Sequence, residues 1–592
     1  MKKVILSIIM LTLIAMPVFA QNLEDYVLET KGDTLVIKDY AEMEEANSII
    51  NAIELDENAP AGRVYELHSN GYYFITRTLN TPADRTIRIV GEDDTPLVAS
   101  DSEAYPPLIA GTTEGEESIN GNMIAFGGDL VMKNLMTCAA ATDNSIGWTI
   151  LYDASANNSV VIDNCLMEHT QWVFVQSNTS AGNSFYITNS YFVNMSGMPC
   201  RRNGGVYDNV SHNTDTMYVE NNTHVMGQGM QYKFRNFPIN HAYFNHNTFV
   251  NIGGPIFETL GYQDSWVVTN NLFVNSNANA LHPNFASTEW DADEQPMGLV
   301  NLNHYPEDYA FDSLAAEDAE RKVLVQNNGI YNDPKLDEII EYCDNEEING
   351  WTDWQSMMIK MNSRTQDMFD NDDRYPKLTE SDWIEAGAPQ FTDPMDLMDA
   401  QVDELITWCK QTADTANSYT MAVWRTADNP ASENFVYADF PIPVDLSYSN
   451  SEYLEGGIDG LPLGDLNWFP AEKASWDKEE EYTKIMAALN SGDPVAIKES
   501  PQTIKNFELS QNYPNPFNPT TTIKYTVPSS EHITLKVYNA LGQKVATLVD
   551  GFKKANTTHR ATFNASNLSS GIYIYTLEYN GNTQSKKMVL IK

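Results

Sequence analysis

VVIDNCLME (160–168), FYITNSYFV (185–193), MYVENNTHV (217–225), AYFNHNTFV (242–250) and WVVTNNLFV (266–274) share one frame. Each opens as an alternating apolar strand, reaches Asn or His at its fifth position, and resumes as a second short strand. The starts are 25, 32, 25 and 24 residues apart. A further copy, VLVQNNGIY, begins at 323, and a weaker one, LVMKNLMTC, at 130. Residues 62–91, GRVYELHSNGYYFITRTLNTPADRTIRIVG, read as the strands of a first unit. A unit this short cannot bury its own apolar side, whereas stacking like units buries a continuous core. The pattern therefore predicts a right-handed parallel β-helix with three strands per turn. The fifth positions are Asn164, Asn189, Asn221, His246, Asn270 and Asn327. Asn tolerates left-handed backbone at a tight turn. Amides stacked there bond between turns, at about 0.5–1.5 kcal/mol each. A β-sandwich with Asn-rich turns is the alternative, but it leaves the common offset unexplained.

The frame extends to a third strand. Fifteen residues after the unit starts lie Val175, Cys200, Tyr232, Phe257 and Leu281, all apolar or compact. One residue further lie Gln176, Arg201, Lys233, Glu258 and His282, all polar. Alternation along a strand sends neighbours to opposite faces, so the first column is expected inside and the second outside. Met230 to Arg235, MQYKFR, shows the same alternation within one strand.

Composition bounds the function. The net charge is −45, which disfavours nucleic acid as a partner. From Glu508 onward nine Lys/Arg stand against four Asp/Glu, a net of +5, while residues 21–507 carry −52. The last segment thus reads as a separate module. Lys2 and Lys3, the apolar run Val4 to Ala15 and Val18-Phe19-Ala20 read as a signal peptide over residues 1–20. No other stretch approaches the roughly 20 apolar residues of a transmembrane helix. The five cysteines include no CxxC pair and read as isolated buried thiols.

Two resemblances follow. Asn515-Pro516-Phe517-Asn518-Pro519, Tyr538 to Gln543 (YNALGQ), Ser570-Gly571-Ile572-Tyr573 and the closing KKMVLIK sit among short alternating strands. In that order they resemble the type A C-terminal sorting domain of the Bacteroidetes type IX secretion system. The resemblance covers residues 508–592 and implies a small antiparallel β-sandwich. It also implies a partnership with the secretion machinery, usual removal of the domain, and release or cell-surface attachment. Residues 60–335 resemble the pectate-lyase-like β-helix superfamily in architecture and repeat, not in a catalytic motif. That superfamily contains polysaccharide lyases, glycosidases and non-enzymatic surface proteins. Its members usually place an Asn turn between the second and third sheets and a substrate groove on the first. The resemblance would put Arg201, Lys233, Arg235, Glu258 and His282 along that groove.

Two chemistries are open there, both with an extracellular polysaccharide as partner. β-Elimination of a uronate needs a base for the C5 proton and a cation on the carboxylate. Lys233 is the expected base, Arg201 or Arg235 the carboxylate clamp, and His241 and His246 the reserve bases. Gln176, Glu258 and His282 complete the substrate-binding set. Hydrolysis needs two carboxylates roughly 5–10 Å apart. Glu258 has no obvious partner, with Glu220 and Asp215 near only in sequence. Against both stands a solvated ladder, in which Lys233 and Glu258 form a surface ion pair worth about 0–1 kcal/mol. The large negative charge repels polyuronates and favours a non-catalytic adhesin or glycan-binding protein. No cofactor is identifiable and no metal set is assigned. DNDDR (370–374) lacks the glycine of a hand-type calcium loop, and DADE (291–294) is no better.

The expected organisation is a signal peptide over 1–20, an N-terminal cap over 21–60 and the β-helix over 61–335. A partly helical extension packed on it (336–496), a linker (497–507) and the sorting β-sandwich (508–592) follow. The fold class is all-β.

Overall fold

The computed structural model describes residues 22–592 apart from 93–104, 115–116, 119–120, 140–146, 171, 196–203, 228, 236, 260–261, 282–297, 306–317, 357, 393–394, 414–444, 496–507, 528–530 and 554–557. The chain is mostly β, and a large, mostly parallel sheet dominates it.

Three parallel ladders run through residues 64–331. The first contains the opening strand of every repeat: Leu130–Lys133, Ser159–Asp163, Asn183–Thr188, Thr214–Glu220, Ile239–Asn245, Gln263–Thr269 and the start of Lys322–Tyr331. Its register pairs Leu130, Val160, Phe185, Met217, Ala242, Trp266 and Val323 in succession, the first residues of the aligned sequence units. All seven are buried. The second ladder stacks the strands that follow each Asn turn, from Leu108–Gly111 to Leu272–Ser276. The third runs from Leu79–Asn80 to Phe257–Thr259.

Between the ladders the core is largely aromatic. Phe192, His224, Phe249 and Phe273 stack face to face, with centroids 4.9, 4.3 and 5.3 Å apart. Burial pushes the His224 imidazole down to about 3, so it stays a neutral core ring, bonded to the Tyr232 hydroxyl at 2.9 Å.

The turn prediction holds at every fifth position. Asn164, Asn189, Asn221, His246, Asn270 and Asn327 all have φ between 51° and 61°, as does Asn134 at 58°. Amide bonds between rungs are fewer there than expected: Asn164 donates to Asn134 at 2.9 Å and Asn221 to Asn189 at 2.8 Å, but His246 interrupts the series. The continuous amide ladder lies one residue later. Asn222 donates to Asn247, Asn247 to Asn271 and Asn271 to Asn328, each at 3.0 Å, and all four are 0–1% exposed. The fifth position supplies the backbone angle, whereas the sixth points inward, where a polar side chain must find a like partner.

The third-strand frame holds at three rungs and fails at two. Val175, Tyr232 and Phe257 are buried in the third ladder, but the rung between 175 and 232 is filled by Tyr207 instead of Cys200. The seven residues by which that unit exceeds its 25-residue neighbours fall before strand Gly205–Asp208, shifting its frame. Cys200 and Arg201 lie outside the described residues. Gly205 marks a close approach, since a Cβ there would meet the Met230 carbonyl oxygen at 1.9 Å. The ladder ends at Phe257–Thr259, because Ala280–Leu281 pairs antiparallel with Gln355–Ser356. His282 also lies outside the described residues.

Residues 336–495 add one more parallel strand, Leu378–Ile384, on Lys322–Tyr331. The rest packs outside. Leu336, Ile339, Val402, Leu405, Ile406 and Trp468 cover the apolar outer face of the second ladder. Ile485, Ala488 and Leu489 of helix Lys478–Ser491 cover Tyr243, Val267 and Leu324 of the first. Among the described residues, Cys138, Cys165, Cys343 and Cys409 are all buried.

The C-terminal module has two antiparallel sheets of three and four strands around its own core, including Ile523, Leu535, Val537, Tyr575 and Met588. Its Pro/Asn turn is a clasp. Asn512 bonds the Pro514 carbonyl and the Thr521 hydroxyl, and Asn515 accepts from the Val589 N–H at 2.9 Å. The basic module meets the acidic body through Arg560, which bonds Glu380 at 2.8 Å, and through Lys553, 3.8 Å from Asp372. The DNDDR acids thus face cations of the tail. Burial pushes Asp370 up to about 6, against the opposing pull of Arg560.

Candidate functional site

Lys233 sits on strand Tyr232–Phe234, on the face opposite Tyr232. The register places Gln176, Asp208, Lys233 and Glu258 in one column, with Tyr152 before them. Gln176, Lys233 and Glu258 were expected there; Asp208 takes the place expected of Arg201. The Gly204-Gly205 pair just before Val206-Tyr207-Asp208 is the sequence signal for that strand start. Asp208 and Glu258 stand two rungs apart, about 10 Å along the ladder at 4.8 Å per rung.

The column is not open among the described residues. Gln176 is 3% exposed, Asp208 0% and Lys233 2%. Asp208 accepts two bonds from Arg235, Nε to Oδ1 and Nη2 to Oδ2, each 2.8 Å, and a third from the Trp172 indole N–H at 2.9 Å. The Arg235 guanidinium also lies over the Trp172 ring, 5.8 Å from its centroid. Its fork is therefore engaged by a carboxylate of the protein, in the bidentate geometry a substrate carboxylate would need.

The two histidines lie elsewhere. His241 is exposed on the first ladder, paired with Thr216 and Ser265. His246 is fully buried at the Asn-turn position, bonded to the Gly464 carbonyl at 3.2 Å, with its Nε2 3.2 Å from Glu481. Burial drives the His246 pKa down, but the Glu481 carboxylate, together with Glu220 and the Gly464 carbonyl, makes the net direction up. Glu481 also accepts from Asn245 at 2.8 Å, and Asn245 donates to Glu220 at 3.0 Å. Glu220 in turn holds Lys478 at 2.5 Å and the Tyr218 hydroxyl at 2.7 Å. Glu220 thus belongs to a buried network that fixes the helical extension, away from Glu258. Asp215 accepts from Asn240 at 3.0 Å on the first ladder.

Asp465, on the same extension, is 1% exposed and accepts from the Thr223 hydroxyl at 2.7 Å and the Asn467 N–H at 2.8 Å. Burial pushes its carboxyl up to about 6, against those two bonds. The folded chain therefore binds more protons than the unfolded one between about pH 4 and 6, and stability falls as pH rises through that window. Asp465→Asn is expected to raise stability by about 1–3 kcal/mol at pH 8 and to change it little at pH 4. Urea denaturation at the two pH values checks this. His246 acts in the same direction: its contribution is complete below the ordinary histidine pKa and is lost as pH rises through the raised folded value.

The first ladder also carries a partly open wall. Arg88, Val131, Val161, Tyr186, Tyr218 and Tyr243 form one outward column. Tyr218 and Tyr243 stack at 4.7 Å and 5°, and helix Lys478–Ser491 covers that end. Tyr186 is 36% exposed, with the low side chains of Val161 and Val131 before it. Lys133 and Asp163, 3.5 Å apart, flank this shelf on one side, and Ser159 and Ser184 on the other.

Fold and charge together define a two-part β protein: a body of stacked parallel strands carrying a basic antiparallel module at its C-terminal end. Residues 511–592 match the family model of the secretion system C-terminal sorting domain. The module is a type IX sorting domain, which places the protein in the export route to the cell surface or the medium. No curated protein and no solved structure matches the chain. No described helix is long and apolar enough to cross a membrane.

Proposed function

We propose that the body is a right-handed parallel β-helix of the pectate-lyase-like kind, displayed outside the cell, that binds an extracellular polysaccharide without cleaving it. The contrast between its two polar walls carries this reading. The column proposed for catalysis is 0–3% exposed at Gln176, Asp208 and Lys233, and Arg235 is engaged by Asp208. The Tyr186 shelf is open and lined with hydroxyl, carboxylate and ammonium groups. A pyranose ring presents an apolar face and a polar rim. Val131 and Val161 would meet the face, the Tyr186 ring would close one side, and Lys133, Asp163, Ser159 and Ser184 would bond the rim.

A second reading rests on one observation: Lys233 lies between Asp208 and Glu258 in the register of the third ladder. In that reading Lys233 takes the C5 proton of a uronate, Arg235 holds the carboxylate, and Gln176 and Glu258 contact the sugar. Arg201 and His282 keep the supporting roles expected from sequence, whereas His241 on the first ladder and the buried His246 stand apart from this column.

The test incubates the mature chain with neutral and uronate polysaccharides, following binding by affinity electrophoresis and cleavage by the absorbance of unsaturated products. Binding without product, weakened at least tenfold by Tyr186→Ala, is expected. Product formation that Lys233→Ala abolishes would replace this reading with the second.

A further inference from the structure

Asp39, Glu42 and His68 bring one imidazole and two carboxylates together where the N-terminal cap meets the first rungs. Their ligand atoms all lie within 4.8 Å of one another. Asp39 caps helix Tyr40–Met43, accepting from the Glu42 N–H at 3.1 Å, while Glu42 returns a bond to the Asp39 N–H at 3.1 Å. Asp39 also accepts from the Tyr72 N–H at 3.4 Å. These bonds fix both carboxylates and leave each with lone pairs to spare.

His68 lies on the turn between strands Val64–Leu67 and Tyr72–Ile75. Its Nδ1 is 3.2 Å from the Ser69 carbonyl oxygen. A carbonyl only accepts, so Nδ1 carries the proton in that bond, and in the neutral ring Nε2 is a bare lone pair. The ring packs edge-on against Tyr73, whose hydroxyl accepts from the His68 backbone N–H and donates to the Ile37 carbonyl. Nε2 is shut off from solvent and has no hydrogen-bond partner. It points at Glu42 Oε2, 3.6 Å away, and Asp39 Oδ1, 4.0 Å away.

Neither protonation state of His68 alone satisfies this geometry. A neutral ring aims a lone pair at two anions. A protonated ring has its second N–H too far from either oxygen for a hydrogen bond. A divalent cation between the three atoms satisfies all of them. A point equidistant from them lies at most about 2.5 Å from each, so a contraction of no more than a few tenths of an ångström reaches the roughly 2.0–2.2 Å of zinc–nitrogen and zinc–oxygen bonds. A histidine that ligates a metal usually has its other N–H held by a backbone carbonyl or carboxylate, as Ser69 holds this one.

We propose that Asp39, Glu42 and His68 form a three-ligand site for a borderline-soft divalent ion, with Zn²⁺ as the type. The imidazole disfavours Ca²⁺ and Mg²⁺, which select oxygen ligands. Bound there, the ion staples the Asp39 helix cap to the His68 turn and so closes the N-terminal end of the ladder stack. Three protein ligands leave a fourth position for water or for a group from a partner.

The full chain, stripped with chelator, is titrated with Zn²⁺ by calorimetry in excess Mg²⁺, which occupies the exposed acidic surface. Co²⁺ serves as a spectroscopic probe of nitrogen–oxygen ligation. The expected result is one tight equivalent and a rise in melting temperature, both lost in Glu42→Gln and in His68→Gln. Glu42 and His68 are partly exposed, so these variants are expected to fold, and circular dichroism confirms that they do. Absence of a tight equivalent overturns the proposal, as does a tight equivalent that both folded variants retain.

Discussion

Asn247→Ala is expected to destabilise the protein by about 3–5 kcal/mol. Asn247 sits inside the amide ladder at 0% exposure. Its oxygen accepts from the Asn222 backbone N–H at 3.2 Å and the Asn222 side-chain amide at 3.0 Å. Its nitrogen donates to Asn271 and to the carbonyls of Val219 and Asn245, at 3.0–3.1 Å. Alanine removes all of these and leaves the Asn222 backbone N–H without that acceptor in a dry core. A buried unsatisfied group costs about 1–3 kcal/mol, and at least two are created. At roughly 2–4 °C per kcal/mol, the melting temperature should fall by about 10 °C. Asn164→Gly is the informative contrast. Glycine keeps the positive φ and loses the amide bond to Asn134 at the edge of the core, so a loss below about 1.5 kcal/mol is expected. Thermal melts of the two variants separate the inward ladder from the turn.

Asp208→Ala should cost about 3 kcal/mol or more. It leaves Arg235 without its bidentate partner and the Trp172 indole N–H without its acceptor, beside Lys233 on the next rung. Removing one member of a buried pair strands the other charge, at about 3–5 kcal/mol. Arg235 is 20% exposed and can turn its head toward water, which holds the loss near the lower end. Asp208→Asn keeps the shape and an acceptor, so a loss of about 1–2 kcal/mol is expected, read from urea denaturation midpoints. Asp208 also occupies the guanidinium that a uronate clamp would need.

The ladder register was legible in the sequence to the residue, because a buried wall tolerates no slip and prints its period into the chain. Leu130 to Val323 align by eye and pair in space. The left-handed turns were legible for the same reason, since few residues other than Asn accept them. The third ladder was legible only where the units keep a common length. A seven-residue excess upstream of Gly205 moved Asp208 into the place read for Arg201, and counting along a chain cannot say where within a unit an insertion falls. Long-range contacts were illegible altogether. The bond from Asn245 to Glu481 spans 236 residues, and the Asp39, Glu42 and His68 cluster joins a helix cap to a turn without any repeat to signal it. Exposure was the other gap. Alternation assigns faces to Lys233 and Gln176, but it does not say what covers the outer one.

Ser159→Cys with Ser184→Cys is the pair that tests the rung stacking on which the proposed binding shelf depends. The two serines are register partners on the partly exposed face of the first ladder, 25 residues apart in sequence. Adjacent strands stand about 4.8 Å apart, inside the Cα separation a disulfide accepts. Mild oxidation of the folded chain should link this pair nearly completely and leave the offset pair, Ser159→Cys with Tyr186→Cys, reduced. A Ser159–Ser184 pair that stays reduced, or an offset pair that links equally well, would contradict the register of the first ladder and with it the shelf.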